Sequence, residues 1–359
     1  MKIIIDAMGG DNAPEAVVQG CVDSARRSDV TLVLVGNKPR IESCLRAANA
    51  PLRLCEIVHT DDVISMEDDP MSILRVHRDC SMAQGLRLLK EDGDAFITAG
   101  STGALHVGSS LIIRPCHGVM RSGIATILPF AKPMMLLDSG ANVTVTADYL
   151  EQWAIMGGIY MKSVLHVAEP TVGLLNNGTE PCKGTQMHVD AYERLSKNPA
   201  IRFVGNVEAR ELPNAPCDVL VTDGFTGNIV LKLTEGMAKF FFGALKDVYT
   251  KNTMTKMSFL MIKDSLRGMK SSFDASAYGG APLLGLRKPV IKAHGSSDAR
   301  AIASAIRQAE AFVQTGVIAE MEAQMEKYIG TRKPRTERDS GDTTNPQRET
   351  VPESKTTVE

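Results

Sequence analysis

Short apolar runs alternate with helix-length amphipathic segments along most of the chain. The runs are rich in β-branched and aliphatic residues and predict nine strands: Lys2–Asp6, Thr31–Val35, Ala95–Thr98, Ile124–Ile127, Met134–Asp138, Thr171–Leu175, Ile201–Val204, Asp218–Thr222 and Val290–Ala293. Helices are predicted near Pro14 and over Ser81–Lys90, Tyr149–Lys162 and Ser297–Met325. This alternation predicts an α/β fold, a three-layer α/β/α sandwich around a largely parallel sheet.

Two segments depart from this alternation. Residues 237–272 are helical in pattern, rich in Met and Phe, and without a strand signal, so we expect a helical protrusion. Residues 331–359 mix charges of both signs with almost no apolar side chains, which predicts a disordered tail. The α/β domain itself is therefore expected to span residues 1–330.

Composition narrows the class of protein. The chain has 40 Lys and Arg against 42 Asp and Glu, and 43% of its residues are hydrophobic, which is typical of a globular protein without affinity for nucleic acid. Its 7 cysteines are scattered without zinc-ligand spacing and are interpreted as reduced thiols. No segment has the length of a membrane span or the pattern of a secretory signal. We expect a cytoplasmic protein that is at most peripheral to a membrane.

The loops after the predicted strands are unusually rich in Gly, Asn, Ser, Thr and Asp. They are Asp6–Pro14, Thr98–Ala104, Asp138–Asn142, Asn176–Thr185, Thr222–Asn228 and Ala293–Ala299. Ligands of open α/β sheets bind beyond the carboxyl ends of the strands, where glycine lets backbone amides approach an anion. Any single loop is better explained as a tight strand-to-helix turn with a capping Ser, Thr or Asp. Together, without GxGxxG or GxxxxGK[ST], they predict a phosphate-sized site rather than a conventional nucleotide site.

Two side chains in these loops are candidates for chemistry. Lys183, next to Gly184, could bring a cation to an anionic substrate, or could be a solvated surface lysine. His294 follows the last predicted strand and could donate a hydrogen bond to a carbonyl or phosphate oxygen. The acidic residues of the loops could orient cations or cap helices, and they are too dispersed to predict a metal site: Asp6, Asp138, Asp223 and Asp298. The other histidines are expected to be structural: His59, His77, His106, His117, His166 and His188.

The chain resembles the PlsX family of acyl-acyl-carrier-protein:phosphate acyltransferases in six stretches, which read IDAMGGD, TAGSTGA, DSGAN, TDGFTGNIVLKLTEG, YGGAPLLGL and AHGSSDA. The resemblance runs from Met1 to about Gly330. It implies transfer of a fatty acyl group from acyl carrier protein to inorganic phosphate, giving acyl phosphate for phosphatidic acid and phospholipid synthesis. It also implies a homodimer and a core similar to phosphate acetyltransferases and isocitrate-type dehydrogenases. Lys183 matches a Lys-Gly pair in the family's mobile loop, where Pro181-Cys182 is atypical.

Such a reaction needs a cradle for phosphate, alignment near attack distance and stabilisation of the developing oxyanion. We predict Lys183, Asn228 and His294 as catalytic residues, with Lys183 holding phosphate and Asn228 or His294 donating to the thioester oxygen. The loops predicted to bind phosphate and the acyl thioester contribute Asp6, Gly9, Gly10, Gly100, Ser101, Thr102, Gly103, Asn142, Asp223, Gly224 and Gly227. No cofactor is required, and metal dependence stays open.

The protrusion carries a basic amphipathic pattern. On a helix, Lys256, Lys263, Arg267 and Lys270 form one narrow stripe and methionines cover the remaining arc. Such a helix could contact a membrane, dock an acidic carrier protein, or pack on a second copy of the chain. The predicted contact residues are Lys256, Met257, Phe259, Met261, Lys263 and Arg267.

The expected partners are acyl carrier protein, inorganic phosphate, a second copy, the membrane surface and the downstream acyl-phosphate:glycerol-3-phosphate acyltransferase. Three other functions fit the same sequence: a phosphate acyltransferase that uses coenzyme A thioesters, a dehydrogenase on the related fold, and a membrane-recruited scaffold that binds carrier protein.

Overall fold

A single mixed sheet runs through the protein. In the residues that the computed structural model describes, 1–27, 30–272 and 279–331, it has eleven strands. These are β1 Lys2–Asp6, β2 Thr31–Gly36, β3 Glu56–His59, β4 Ala95–Thr98, β5 Gly123–Pro129, β6 Pro133–Leu137, β7 Thr171–Asn176, β8 Arg202–Glu208, β9 Val219–Val221, β10 Ala281–Leu284 and β11 Val290–Lys292. Their spatial order is β3-β2-β1-β4-β11-β10-β5-β6-β9-β7-β8.

Helices cover both faces of this sheet. They are α1 Glu15–Ala25, α2 Lys38–Ala47, α3 Ser81–Glu91, α4 Thr102–Gly108, α5 Ala147–Ser163, α6 Gln186–Lys197, α7 Gly224–Thr250, α8 Thr253–Ser272, α9 Ala299–Gln314 and α10 Val317–Thr331. Alternate residues of β1 show how the layers form. Ile3 and Ile5 are buried with residues of α1 and α9, whereas Ile4 is buried with residues of α3 on the other face. The expected three-layer α/β/α sandwich is confirmed.

The sheet consists of two parallel groups that run in opposite directions. Strands β3, β2, β1, β4 and β11 form the first group, and β6, β9, β7 and β8 form the second. Between them lie β10, which is antiparallel to both β11 and β5, and β5, which is antiparallel to β6. Opposed directions would normally place the carboxyl ends of the two groups at opposite edges of the sheet.

The strand register brings these ends together instead. Lys292, the last residue of β11, lies opposite Ala281, and Ile124 lies opposite Leu283 two residues further along β10. Asp138 follows β6 and accepts the Ile124 N–H at 3.0 Å. Lys292 and Asp138 are therefore separated by two residues along the strands and three strand spacings across the sheet, roughly 7 Å and 14 Å. The loops after both groups meet near the middle of the sheet.

All nine predicted strands are present, with ends shifted by up to four residues. The sequence patterns missed β3 and β10, which are four residues long. The helix predicted over Ser297–Met325 is two helices, because Gly316 has a φ of +64° and interrupts the pattern. Residues 237–272 belong to two helices, of which α7 begins earlier, at Gly224. The predicted tail from residue 332 onward lies outside the described residues.

Most of the cysteines are buried thiols in this fold. All 7 are free thiols, and five of them are buried: Cys21, Cys55, Cys80, Cys116 and Cys217. Burial raises the pKa of each of these five thiols, so they stay protonated and unreactive near neutral pH. In the described ranges, none of the helices combines the length and the apolar character needed to cross a bilayer.

Candidate active site

The first part of the site lies where β1, β4 and β11 end side by side. Asp6 and Thr98 point to the same face of the sheet, and the Thr98 hydroxyl donates to Asp6 Oδ2 at 2.7 Å. The Met8 N–H donates to Asp6 Oδ1 at 3.1 Å. Burial raises the pKa of the Asp6 carboxyl, and these hydrogen bonds oppose that shift. Asp6 thus fixes the start of its own loop from inside the protein.

Glycines let the three loops of this first part touch backbone to backbone. A β-carbon on Gly9 would lie 2.6 Å from Asp6 Oδ2 and 2.7 Å from Gly100 N. Gly10 has a φ of +103°, which favours glycine, and the neighbouring Asp11 N–H donates to Gly295 O at 2.8 Å. The predicted residues Asp6, Gly9, Gly10 and Gly100 are therefore brought together with the loop that carries His294.

Lys292 belongs to this cluster and was not among the predicted site residues. Its side chain is buried, and its Nζ donates to Ala99 O at 3.2 Å and to Ala293 O. Burial lowers the pKa of the Lys292 amine to about 8, while the carboxylates of Asp6 and Asp11 act in the opposite direction. The sequence signal was available, because a lysine ends an otherwise apolar buried strand directly before the AHGSSD loop.

The helix that follows β4 starts at the predicted Ser101–Gly103 segment. Ser101 is the N-cap of α4, and its Oγ accepts the Ala104 N–H at 3.4 Å. The amides of Thr102 and Gly103 have no acceptor within the helix because they lie in its first turn. A β-carbon on Gly103 would lie 2.7 Å from Pro70 Cγ, so this turn is packed against the segment around Pro70.

The second part of the site is organised by Asp138, which is fully buried. Its carboxylate accepts the N–H groups of Ile124, Gly140 and Ala141 at 3.0 to 3.1 Å and of Asn142 at 2.6 Å. The Asn142 side-chain amide donates to Asp138 Oδ2 at 2.9 Å and to Ser122 O at 2.8 Å. The backbone amides of the DSGAN loop therefore donate to the aspartate of the same loop, and the Asn142 side chain stabilises that loop by donating to Asp138 as well.

The start of α7 lies directly on this loop. Asp223 is the N-cap, and its carboxylate accepts the Thr226 N–H at 2.8 Å and the Thr226 hydroxyl at 2.7 Å. The Gly224 N–H donates to Asn142 O at 2.8 Å. Asn228 is one turn further on. Its Cγ lies 3.5 Å from the position that a β-carbon on Gly140 would occupy, so the two residues are in van der Waals contact range. The predicted residues Asn142, Asp223, Gly224, Gly227 and Asn228 form this second cluster.

Two histidines connect the two parts. His106 on α4 is close enough to Asp138 for the carboxylate to raise its pKa, although burial, the larger effect, lowers it. Its Nδ1 is buried without a hydrogen-bond partner in the described ranges. The second histidine is His294, whose Nε2 lies 4.0 Å from Glu235 Oε1 of α7 and whose Nδ1 is 2.9 Å from Ser296 Oγ. His106, which the sequence predicts to be structural, therefore lies between the two clusters.

Lys183 lies in the exposed loop after β7. Its Nζ is 4.0 Å from Glu180 Oε1, and its carbonyl accepts the Asn176 side-chain amide at 3.0 Å. Among the described residues it makes no hydrogen bond or ion pair with Asn228 or His294. The loop leads to α6, where His188 is near Asp223. Burial lowers the pKa of His188, and the Asp223 carboxylate acts in the opposite direction.

The predicted contact residues of the protrusion lie on α8. Lys256, Met257 and Met261 are exposed, and Lys263 is half-buried. The Phe259 ring is also half-buried, with its centroid 5.8 Å from that of Tyr249 on α7. Arg267 is part of α8, but its side chain lies outside the described residues, as does that of Lys270. Across the described ranges, no group of three or more His, Cys, Asp or Glu side chains could hold a metal ion.

The fold is similar to that of two phosphotransacylases and a dehydrogenase. The phosphotransacetylase from Streptococcus pyogenes matches with a TM-score of 0.57 at 17% identity, covering 91% of this chain and 94% of that one. The branched-chain phosphotransacylase from Enterococcus faecalis V583 matches with a TM-score of 0.51 at 13% identity, covering 87% and 100%. A 4-hydroxythreonine-4-phosphate dehydrogenase from Klebsiella pneumoniae has the same TM-score of 0.51 at 13% identity, covering 88% and 99%. The expected relation to phosphate acetyltransferase and dehydrogenase folds is confirmed.

Sequence similarity then gives the activity. The chain is 44% identical over 320 residues to the phosphate acyltransferase of Alkaliphilus oremlandii, covering 89% of this chain and 95% of that protein. It is 42% identical over 324 residues to the phosphate acyltransferase of Streptococcus thermophilus, covering 89% and 96%. A family model described as fatty acid synthesis protein matches residues 1–320. The chain belongs to this family, the PlsX family, and is a phosphate acyltransferase of fatty acid and phospholipid synthesis.

Proposed function

We propose that the protein transfers a fatty acyl group from acyl carrier protein to inorganic phosphate, releasing free carrier thiol and acyl phosphate. The observation that carries this proposal is the register of the sheet, which brings the glycine-rich loops of two opposed strand groups to one place. One group can then hold phosphate while the other holds the thioester, as direct transfer between two bound substrates requires.

The chemistry needs no covalent enzyme intermediate. A phosphate oxygen attacks the thioester carbonyl carbon and forms a tetrahedral intermediate with a negatively charged oxygen. The carbonyl then re-forms, the carbon–sulfur bond breaks, and its electron pair leaves with sulfur as a thiolate that takes a proton from solvent. Phosphate is already ionised at neutral pH, so the main task of the protein is positioning and charge stabilisation.

The first turn of α4 is our candidate for the phosphate cradle. The amides of Thr102 and Gly103 are not used inside the helix, so they can donate to an anion. By contrast, the amides of the DSGAN loop are occupied by Asp138. The two clusters therefore differ in what they can offer an anion.

Lys183 is the proposed mobile cation. Its ion pair with Glu180 is 4.0 Å long and exposed, so it costs little to break. A lysine on a glycine-flanked loop can then turn towards phosphate when both substrates are bound. Gly184 has a φ of +88°, which gives this loop a turn that other residues adopt with strain.

Asn228 and His294 are the proposed donors to the thioester oxygen. Asn228 is on the first turns of α7, beside Gly140, and His294 lies in the loop that follows β11. They belong to different clusters, and Glu235 of α7 lies 4.0 Å from His294. Glu235 is seven residues beyond Asn228 on α7, roughly 10 Å along the helix. Asn228 and His294 are therefore alternative donors, and the oxyanion would accept from one or the other.

The donor is tested by measuring phosphate-dependent release of free thiol. Palmitoyl-acyl carrier protein and palmitoyl-coenzyme A are compared at equal concentration, and acyl phosphate is trapped with hydroxylamine as the hydroxamate. Release from the carrier-protein donor, with at most slow release from the coenzyme A donor, supports the proposal. Release from coenzyme A alone would assign the other thioester, and nicotinamide reduction without thiol release would indicate a dehydrogenase.

We further propose that a second copy of the chain covers α7. Large apolar side chains recur on this helix every three or four residues and are more than half exposed: Phe225, Ile229, Leu233, Met237, Phe240 and Phe241. A row of this kind is typical of a helix that packs against a partner. Sedimentation of the full chain and of Leu233→Asp tests this proposal, because a homodimer should dissociate in the variant and a monomer should not change.

The tip formed by α8 is the proposed membrane contact. Met254 and Met261 have 81% and 88% of their surface exposed, next to the exposed Lys256. Acyl phosphate is labile and its chain is apolar, so release at the membrane would favour its use by the acyl-phosphate:glycerol-3-phosphate acyltransferase there. A soluble pool of the enzyme that binds the membrane peripherally fits this scheme.

A further inference from the structure

We propose that Lys292 is a positioning residue of the phosphate site, whose ammonium group joins the ends of β4 and β11 and supplies the fixed positive charge of the first loop cluster. This inference rests on the proposed function at one point only, that phosphate binds to the loops after β1, β4 and β11.

The Lys292 side chain connects the loops after β4 and β11 through hydrogen bonds to both. Lys292 lies opposite Thr98 in the parallel pairing of β11 with β4, so both side chains project from the same face. Its Nζ then reaches past the strand ends to the carbonyl oxygens of Ala99 and Ala293. These carbonyls begin the TAGSTGA and AHGSSDA loops, and an ammonium group that bonds both fixes their separation.

The charges around Lys292 explain why a cation is needed there. The carboxylates of Asp6 on β1 and of Asp11 in the following loop are close enough to the Lys292 amine to raise its pKa, against the larger effect of burial. Without a positive charge, the two carboxylates would repel an incoming phosphate anion. An ammonium ion also has three N–H donors, of which two are used on Ala99 and Ala293. The third has no hydrogen-bond acceptor in the parts of the chain that the structure describes.

The protonation state makes this role measurable. The Lys292 amine has a pKa of about 8 because burial disfavours its charged form. The ammonium group is therefore present below pH 8 and is lost as the pH rises through that value. Phosphate is mostly doubly ionised above pH 8 and gains charge, if anything, as the pH rises, so a loss of phosphate affinity above pH 8 reports on the protein and not on the ligand.

Lys288 provides a matched control at the other end of the same strand. Its Nζ also donates to two backbone carbonyls, Leu89 O and Gly93 O, both at 2.8 Å. It precedes β11, whereas the site lies after it. Lys288→Met and Lys292→Met therefore each remove two hydrogen bonds to backbone carbonyls. Lys288 is half-buried and lies away from the phosphate site, whereas Lys292 is buried within it.

The experiment measures binding of inorganic phosphate to the full chain by calorimetry between pH 7 and 9.5, with chloride at matched ionic strength. We expect the wild-type Kd to rise above pH 8, approaching about tenfold per pH unit, which is the limit for one titrating group. Lys292→Met should bind roughly ten- to a hundredfold more weakly at pH 7 and show no such rise. Lys288→Met should keep the wild-type Kd and its pH dependence.

Two results would overturn the proposal. One is a Lys292→Met protein that binds phosphate like the wild type at every pH. The other is an equal loss of affinity in Lys288→Met, which would make both lysines merely structural. If Lys292→Met does not fold, Lys292→Arg decides, because a guanidinium group stays charged throughout and should abolish the rise above pH 8. No acyl donor is needed, so a wrong assignment of the donor leaves this test intact.

Discussion

The carbonyl oxygen of Asp138 lies 1.9 Å from the position that a β-carbon on Gly227 would occupy. The first turn of α7 thus rests on the loop after β6 with no space between the two backbones. Because Asp223 and Asn228 lie on the same turns, this contact sets where the N-cap and the proposed oxyanion donor stand relative to Asp138.

Replacing Gly227 by alanine should therefore push α7 away from the site. We expect a loss of about 1–3 kcal/mol in the free energy of unfolding, as for other overpacked sites, and a loss of most of the phosphate acyltransferase activity. Gly236→Ala on the same helix is the control, since nothing lies within 4 Å of its added carbon. That variant should be unchanged or up to about 1 kcal/mol more stable. Chemical denaturation and turnover of both variants check this, and equal behaviour would contradict it.

Gly103 offers a milder test of the phosphate cradle. An added β-carbon would lie 2.7 Å from Pro70 Cγ, and Gly103 does not have a positive φ, so crowding is the expected cause of any effect. Valine at this position should tilt the first turn of α4 and raise the apparent KM for phosphate, with a smaller change in kcat. Gly158→Ala on α5, where nothing lies within 4 Å, should leave both constants unchanged. A Gly103→Val enzyme with the wild-type phosphate KM would show that this loop is only a turn.

The sequence predicted the fold class because buried strands have a strong apolar signature. Runs such as Ile3–Ile5 are covered on both faces, and their unbroken apolar pattern marks a parallel sheet. β3 has polar ends that are exposed, and β10 begins with Ala281 and Pro282, so neither gives that signature. The opposed directions of the two strand groups were also out of reach, because they depend on the pairing of β10 with β5 and not on local pattern.

The sequence predicted which loops form the candidate site, but not how their side chains and amides contact one another. Glycine and aspartate mark strand-end loops in any sequence, whereas the partners of each aspartate depend on tertiary contacts. Asp138 binds the amides of its own loop, a use that residue types alone do not distinguish from an anion cradle. Lys292 was missed because it lies in a regular element, where a single polar residue is usually structural.

Lys183 gives a prediction in which activity and stability separate. Lys183→Ala should remove most turnover and leave the melting temperature unchanged, because an exposed loop lysine contributes little to stability. Lys183→Arg should restore only part of the activity, since the planar guanidinium presents its charge differently. Lys197→Ala is a suitable control, as that lysine is exposed and paired with Glu193 on the neighbouring helix α6. Near-normal turnover of Lys183→Ala at saturating phosphate would exclude a catalytic role.

Lys292 also predicts how stability depends on pH. Its pKa is about 8 in the folded protein and near 10.5 when unfolded, so the unfolded chain binds more protons between these values. The charged form therefore costs stability below pH 8, and that cost disappears as the pH rises. From pH 7.5 to 9.5 the wild type should gain about 2 kcal/mol relative to Lys292→Met, at 1.36 kcal/mol per pH unit. Urea denaturation at several pH values measures the difference, and a constant difference would mean that the pKa of the amine is not lowered.

The protrusion yields the prediction that best separates its three possible partners. Met257 and Met261 are exposed on α8, whereas Phe259 packs towards Tyr249 on α7, so the methionines are the side chains free to enter a bilayer. Aspartate at both methionines should weaken binding of the full chain to vesicles of anionic lipid, even at high salt, where electrostatic attraction is already screened. Val204→Asp, a change at another exposed apolar residue far along the sheet on β8, should not.

Charge reversal on the same helix separates the remaining possibilities. Lys256→Glu combined with Lys263→Glu should reduce vesicle binding at low salt and have little effect at high salt, because these charges act on the headgroups through a screened interaction. If vesicle binding is unchanged but turnover with acyl-carrier protein slows, the helix docks the acidic carrier protein. If neither assay responds and the methionine variant instead dissociates a dimer, α8 contacts a second copy of the chain. A membrane contact requires both sets of variants to lose vesicle binding while thiol release from soluble acyl-carrier protein stays at the wild-type rate.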